Sequence, residues 1–324
     1  QRKMNYMNIL ILSAGTRNKI VQYFKKEVGN TGRIIATDCS ELAPAIYEAD
    51  AHYIVPRITE LGYIDLILEI CKKEKIDGCL SLIDPELSML AEHRDEFLAV
   101  GCTPIISPYD SVEICFDKYR MYQTLLEYGI PTGNCYVEVK AFTDAIQAGE
   151  ISFPVFVKPV KGSASININQ VKGLKEIEVL FSLYDDLMVQ EYMNGTEYGA
   201  DVYVDLISGK TKAIFVKRKI AMRAGETDKS VSVKDEELFS LISNFVERLG
   251  LRGIIDIDIF EIDGTYYISE VNPRFGGGYP HAYACGMNVP KLIFKNLQEQ
   301  ENEDEIGQYE LGKYMMKYNE IMIR

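Results

Sequence analysis

The residues most able to do chemistry lie in one stretch, Asp258-Ile-Phe-Glu-Ile-Asp263-Gly264-Thr-Tyr-Tyr-Ile-Ser-Glu270-Val-Asn272-Pro-Arg274. It reads as two apolar, β-branched strands joined at Asp263-Gly264 and carrying acid and amide oxygens. Side chains alternate across a strand, so Glu270 and Asn272 share one face of the second strand. If Ile262-Asp263-Gly264 forms a three-residue loop with Gly264 left-handed, Asp256, Asp258, Glu270 and Asn272 all share that face. A strict two-residue turn would put the aspartates on the opposite face. Hard oxygens converging in this way suit Mg²⁺, which keeps some waters and completes its shell with carboxylates and substrate phosphates. Arg274, two residues past Asn272, would meet an anion next to the metal. The bland alternative is a half-exposed hairpin with solvated acids, and the Asn-Pro-Arg exit weighs against it.

Further motifs precede this stretch in order. Asp117-Lys118 opens a helix and Tyr128-Gly-Ile-Pro131-Thr follows it. Phe153-Pro-Val-Phe-Val-Lys158-Pro is a strand that ends on a lysine, and Lys161-Gly162-Ser163-Ala164-Ser165 comes after it. Gln190-Glu191-Tyr192 is followed by Gly195-Thr-Glu197-Tyr. Each motif alone is weak, but five in this order are specific. Together, over roughly residues 105 to 290, they resemble the ATP-grasp superfamily, whose metal hairpin carries an acid followed by Glu-x-Asn-x-Arg. The nearest patterns are carbamoyl-phosphate-synthase-like and amino-acid-ligating members.

The resemblance implies roles for these residues. Lys118 and Lys158 would neutralise α- and β-phosphate oxygens of ATP, and Gly162, Ser163 and Ser165 would form the flexible phosphate loop. Ala164 and Asn167 depart from the small residues usual there. Gln190, Glu191 and Tyr192 would hold the adenine edge, and Glu197 would take the ribose hydroxyls. Asp258, Glu270 and Asn272 would carry one or two Mg²⁺, with Mn²⁺ as a substitute. Arg274 would stabilise the transferring phosphoryl group and the acyl phosphate.

Composition bounds the remaining readings. The chain has 324 residues, 47% hydrophobic and 26% charged, as in a globular protein with a sizeable core. A net charge of −13 argues against non-specific binding to nucleic acid or to anionic membranes. No apolar run reaches the length of a membrane span, and Met7–Leu12 is too short for a signal peptide. Gln1-Arg2-Lys3 reads as an added leader, with Met4 and Met7 both candidate starts. Seven cysteines stand singly with no Cys-x-x-Cys pair, which fits buried thiols in a reducing, cytoplasmic setting.

The expected fold class is α/β, becoming α+β in the nucleotide unit: an N-terminal doubly wound parallel sheet followed by a two-subdomain ATP-grasp fold. Strands at Met7–Leu12, Arg33–Asp38, Ala51–Val55 and Gly78–Ile83 alternate with helical patterns. Asp38 ends a strand where a dinucleotide fold keeps its ribose acid, but the first loop holds only Gly15, so an NAD site is rejected. Asp84-Pro85-Glu86 ends another strand and reads more readily as a helix start than as a site. The expected units are residues 1–106 (N-terminal domain), 107–186 (small subdomain) and 187–324 (large subdomain with the metal site).

The basic segment Lys217–Ser230 reads as a loop over the site, with Arg223 the candidate to grip a substrate carboxylate. Gly276 to Gly278 would let the backbone approach the acceptor, and Tyr279, His281 and Tyr283 would shape its pocket or pack the core. The leading expectation is an ADP-forming ligase that activates a small carboxylate for attack by an amine, joining amino acids or peptides. A carbamoyl-phosphate-synthase-like unit acting on bicarbonate or carbamate is the second reading, and an inactive nucleotide sensor the third. The nitrogen source stays open, including ammonia from a glutaminase partner. So does the oligomeric state, although related enzymes are often dimers.

Overall fold

The structure, a computed structural model, describes residues 6–162 and 169–324. The first sheet is parallel, with β1 (Met7–Leu12), β2 (Gly32–Asp38), β3 (Ala51–Ile54), β4 (Gly78–Ser81) and β5 (Thr103–Pro104) in the order β3-β2-β1-β4-β5. Its central strand β1 is apolar at nearly every position because both faces are covered. Ile9 and Ile11 pack on one side against Ile20 and Phe24 of helix Asn18–Val28 and against Leu292 of helix Val289–Leu297. Leu10 and Leu12 pack on the other side against Ile67 and Cys71 of helix Tyr63–Glu74. The chain works outward from β1 to β3 and returns at β4, so the topological switch point lies between β1 and β4.

The second sheet joins β6 (Cys135–Tyr136), β7 (Val155–Pro159), β8 (Asn169–Val171) and β9 (Leu187–Glu191) in the order β6-β9-β7-β8. Alternation splits its faces. Val155, Val157, Val171, Leu187 and Val189 bury against Phe142 and Ile177 from two helices. Lys158, Met188 and Gln190 fall on the opposite face, where Phe156 pairs with Gln190 and Lys158 with Met188.

The third sheet is antiparallel and holds β10 (Thr196–Val204), β11 (Thr211–Arg223), β12 (Glu226–Val233), β13 (Gly253–Ile262), β14 (Thr265–Asn272) and β15 (Tyr314–Met316) in the order β14-β13-β10-β11-β12-β15. One face is continuously apolar and packs on helix Glu236–Arg248 through Leu238, Ile242 and Phe245. The other face changes character along its length. Tyr203, Ala213, Phe215 and Ile254 bury against the N-terminal domain. Further along the same strands, Glu197, Asp201, Lys217, Lys219, Asp256 and Asp258 occupy the alternating positions.

The mixed α/β architecture follows the expectation, and three details differ. Residues 217 to 230 are not a loop: they form the β11–β12 hairpin, whose turn is Ala224-Gly225, both at positive φ. The short strand β15 adds to the edge of β12. The turn between β13 and β14 is the strict two-residue form, with Asp263 and Gly264 both at positive φ.

Candidate active site

The two-residue turn alone would have turned the aspartates away from Glu270 and Asn272. A bulge cancels it. Ile259 pairs with Ile268, but the next pair is Asp258 with Glu270, so Ser269 is an extra residue in β14. From there Asp258 stands opposite Glu270 and Asp256 opposite Asn272 on one face. The shared face expected from a longer turn is thus reached by another route.

This wall carries more acid than base. Glu197, Asp201, Asp256, Asp258, Glu270 and Asp84 face Lys217, Lys219 and Arg274. Lys217 Nζ meets Asp201 at 2.5 Å, with both side chains buried. Lys219 Nζ bridges Glu197 at 2.7 Å and Asp258 at 2.6 Å; burial works against its charge, but the two carboxylates outweigh that and raise its pKa. Arg274 donates through Nε and Nη2 to Asp84 Oδ2 at 3.1 and 2.9 Å, and Nη1 lies 3.5 Å from Asp256. Three carboxylates remain in excess. Burial, and then the Asp258 charge, push the Asp256 carboxyl up to about 7 against the opposing pull of Arg274.

A surplus of acid on a buried face fits a divalent cation held by Asp258, Glu270 and Asn272. No three His, Cys, Asp or Glu side chains among the described residues form a self-contained metal cage. Two carboxylates and an amide are instead the partial shell that Mg²⁺ completes with water and phosphate oxygens.

The facing wall belongs to the small sheet. Lys158 is 6% exposed at the end of β7, and it has no carboxylate partner among the described residues. Lys118, at the start of helix Lys118–Glu127, donates to the Gly162 carbonyl. Burial lowers its pKa; the charge of Glu270 opposes this and that of Lys158 adds to it, so the two lysines and the β13–β14 hairpin share one cleft. Gln190 is buried on β9, and Glu191 is tied to Asn134, its carboxylate accepting from the Asn134 amide at 2.9 Å. Tyr192 is exposed and leans on Phe156 with ring centroids 5.7 Å apart. Ser163 and Ser165, with Ala164 and Asn167, lie outside the described residues.

A cavity of about 200 Å³ opens on the acid wall, lined by the third sheet and the N-terminal domain. The N-terminal sheet contributes Arg17 and Asp84 from the loops at its switch point, after β1 and β4. The helix-start reading of Asp84 is incomplete: the residue opens helix Asp84–Glu92, but its side chain caps nothing there and binds Arg274. Glu86 is buried and accepts from Ser13, Ser81 and Tyr63.

Arg223 is not where the sequence reading put it. It pairs with Asp228 at 2.8 Å, is half exposed, and does not line the cavity, because strand pairing has fixed its direction. Glu226 from the same hairpin does line it. The glycine run serves close approach. A Cβ on Gly276 would sit 2.4 Å from the Asp256 carboxyl, on Gly277 2.6 Å from that of Glu226, and on Gly278 2.7 Å from Lys217. Tyr279 and His281 are buried behind the wall, His281 between Ser230 and the Lys313 carbonyl.

Sequence reasoning missed Asp201, Lys217, Lys219, Arg17 and Glu226 as site residues. The signal for the first three was present: charged residues at alternate positions of otherwise apolar strands. Nothing local marks Arg17 or Glu226.

Comparison with known proteins fits this arrangement. Residues 184–319 match the family model described as ATP-grasp in the biosynthetic pathway with Ter operon, and residues 9–105 match the PylC-like N-terminal domain. Residues 184–319 are thereby an ATP-grasp domain. The chain is similar to the arginine-specific carbamoyl phosphate synthase large chain of Geobacillus stearothermophilus, 25% identical over 221 residues, which is 65% of this chain and 21% of that protein. It is also similar to the D-alanine–D-alanine ligase of Francisella philomiragia, 24% identical over 245 residues, which is 69% of this chain and 81% of that protein. The chain therefore spans about a fifth of the first relative and most of the second. Among solved structures, the biotin carboxylase domain dimer of the Hydrogenobacter thermophilus 2-oxoglutarate carboxylase, in complex with MgADP, ADP and bicarbonate, superposes with a TM-score of 0.75 at 16% identity. The match covers 96% of this chain and 73% of that one. At that identity the likeness concerns the fold. No helix among the described residues is long and apolar enough to cross a membrane.

Proposed function

We propose that this protein is an ATP- and Mg²⁺-dependent carbon–nitrogen ligase that activates a small carboxylate as an acyl phosphate and joins it to an amine, with amino acids or peptides as substrates. The observation that carries the reading is the pairing of two walls. Buried Lys158 and partly buried Lys118, neither with a carboxylate partner among the described residues, face a surface with surplus carboxylate, and a triphosphate with its metal neutralises both.

Lys118 and Lys158 bind phosphate oxygens, and Asp258, Glu270 and Asn272 hold the metal, with Mn²⁺ a workable substitute. The bound metal supplies charge neutralisation between the phosphates. A carboxylate oxygen of the substrate attacks the γ-phosphorus and ADP leaves. The amine nitrogen then attacks the acyl carbon, loses a proton, and phosphate leaves. Arg274, clamped by Asp84 and by the Phe275 carbonyl, presents its two remaining N–H groups to the acyl phosphate. Gln190, Glu191, Tyr192 and Glu197 line the nucleotide end. Similarity to a D-alanine–D-alanine ligase over most of its length supports this reading. The similarity to a carbamoyl phosphate synthase keeps bicarbonate as a second acid, and only that reading needs a glutaminase to supply ammonia. A homodimer is the assembly proposed, and the seven free cysteines suit the reducing cytoplasm.

The test is Mg²⁺-dependent ADP release with pooled amino acids and, separately, with bicarbonate plus ammonia. Glu270→Ala serves as the control, with an expected loss of about a thousandfold. Release with the amino-acid pool that the mutant lacks supports the ligase. Release only with bicarbonate shifts the acid, and no release from any mixture despite nucleotide binding leaves a sensor.

A further inference from the structure

The cations lining the cavity are not held equally. Arg274 is gripped by Asp84 and Asp256, and Lys219 by Glu197 and Asp258, all within a largely buried wall. Arg17 differs. It reaches across the cleft from the loop after β1, and its one carboxylate partner among the described residues is Glu226, 2.9 Å from Nη2. Both side chains are partly exposed, at 26% and 42%. Opening an ion pair of this kind costs little, about 0–1 kcal/mol. Glu226 would not be stranded by the loss, because Lys317 Nζ holds its other oxygen at 2.8 Å. Gly277 leaves Glu226 room to lie against the backbone. The pair is thus an exchangeable guanidinium–carboxylate contact on the lip of the cavity, on the side of the N-terminal switch point rather than the metal.

We propose that Arg17 is a specificity-determining residue: on substrate binding it exchanges Glu226 for the non-reacting carboxylate of the amine-bearing substrate, so that amino acids are preferred over ammonia and over amines lacking a carboxylate. The inference rests on the ligase reading above and deepens it. It also supplies the carboxylate grip that Arg223, turned toward Asp228, does not provide. A planar guanidinium suits a carboxylate bidentately, and Glu226 occupies the guanidinium until the substrate arrives.

A competition experiment on the full chain with Mg-ATP tests this. A pool of the common amino acids is present as the acid source. The same amino acids, their carboxamides and nitrogen-15 ammonia compete at equal concentration as the amine. Mass spectrometry counts dipeptides, dipeptide amides and nitrogen-15-labelled amino-acid amides. The ratio of products is independent of how much of each variant is folded. The wild type is expected to favour dipeptides by about 30-fold or more, and Arg17→Met to lower that preference by about 10- to 100-fold, as loss of a charge-assisted contact implies. Arg17→Lys restores most of it, and Glu226→Gln, which frees Arg17, does not lower it. Equal use of amino acids and their amides by the wild type overturns the inference, and so does an Arg17→Met variant with unchanged product ratios; both leave the ligase standing. Absence of any ligated product overturns the ligase reading and the inference together.

Discussion

On the six-stranded sheet every buried cation has an acid within reach, whereas across the cleft Lys158 is equally buried and Lys118, at a helix start, partly so, with no carboxylate partner for either among the described residues. Placing lysines in a protein of net charge −13 without pairing them is not a solution to folding. The acid wall is compensated from within, down to a remainder that suits a metal. The lysine wall is left to be compensated by a ligand. The difference separates residues that keep the site in shape from residues that fill their valence only when substrate arrives.

The same substitution, lysine to methionine, breaks the two walls differently. Lys217→Met strands Asp201, fully buried and with Oδ1 already lacking a hydrogen-bond partner, and should cost about 3–5 kcal/mol of stability. Thermal and urea melts would show it as a clear loss of Tm and midpoint. A melt like that of the wild type would mean that the pair is not holding the wall. The neutral ring of His281 supports the same wall. It accepts from Ser230 at Nδ1 and donates from Nε2 to the Lys313 carbonyl. Burial, and then the Lys217 charge, push its pKa down from 6.5 to about 4. The unfolded chain therefore binds the extra proton first. Its contribution is complete above pH 6.5 and is lost as pH falls toward 4, by at most about 3 kcal/mol. Melts of the wild type and His281→Gln at pH 7 and pH 4.5 should differ in slope by that amount, with the variant less sensitive to acid.

Smaller in free energy but more telling is Lys158→Met on the other wall. It removes an uncompensated buried charge, so Tm should hold or rise. The dissociation constant for ATP or ADP should weaken by about 10- to 100-fold, the worth of one charge-assisted contact. Calorimetry against the nucleotide reads the second effect and a melt the first. Loss of stability without loss of affinity would place Lys158 with the structural lysines and erase the contrast.

How much of this could be read from the chain depended on whether the signal was local. The acid-bearing hairpin, the Lys118 helix start, the Lys158 strand and the parallel sheet were legible because each is written in consecutive residues. Asp201, Lys217 and Lys219 were legible in kind, as charges at alternate positions of apolar strands, but their pairing depends on register between strands far apart in the sequence. Arg17, Asp84 and Glu226 come together only through the docking of the N-terminal switch point on the third sheet, which no local pattern encodes. Arg223 was misplaced because a basic, glycine-containing segment reads as a loop, whereas Ala224-Gly225 is a tight turn that points each neighbouring side chain by alternation.

The β13–β14 hairpin separates two causes that the sequence leaves entangled. Its turn has the two-residue form that on its own would scatter the acids, and the bulge at Ser269 restores them. If the bulge and the pairing on either side of it hold the register, the turn itself is replaceable. Gly264 sits at φ +80 with open space around it, so Gly264→Ala should cost only backbone strain, about 1 kcal/mol, with ADP formation unchanged per folded molecule. Gly276→Ala is the contrasting case: φ is ordinary there, but the new Cβ would meet the Asp256 carboxyl at 2.4 Å and displace it from the wall. Melts and ADP release on the two variants should separate cleanly, the first losing a little stability and no activity, the second losing activity out of proportion to stability. A Gly264→Ala protein that folds yet releases no ADP would show that the turn, and not the bulge, sets the face on which Asp258, Glu270 and Asn272 lie.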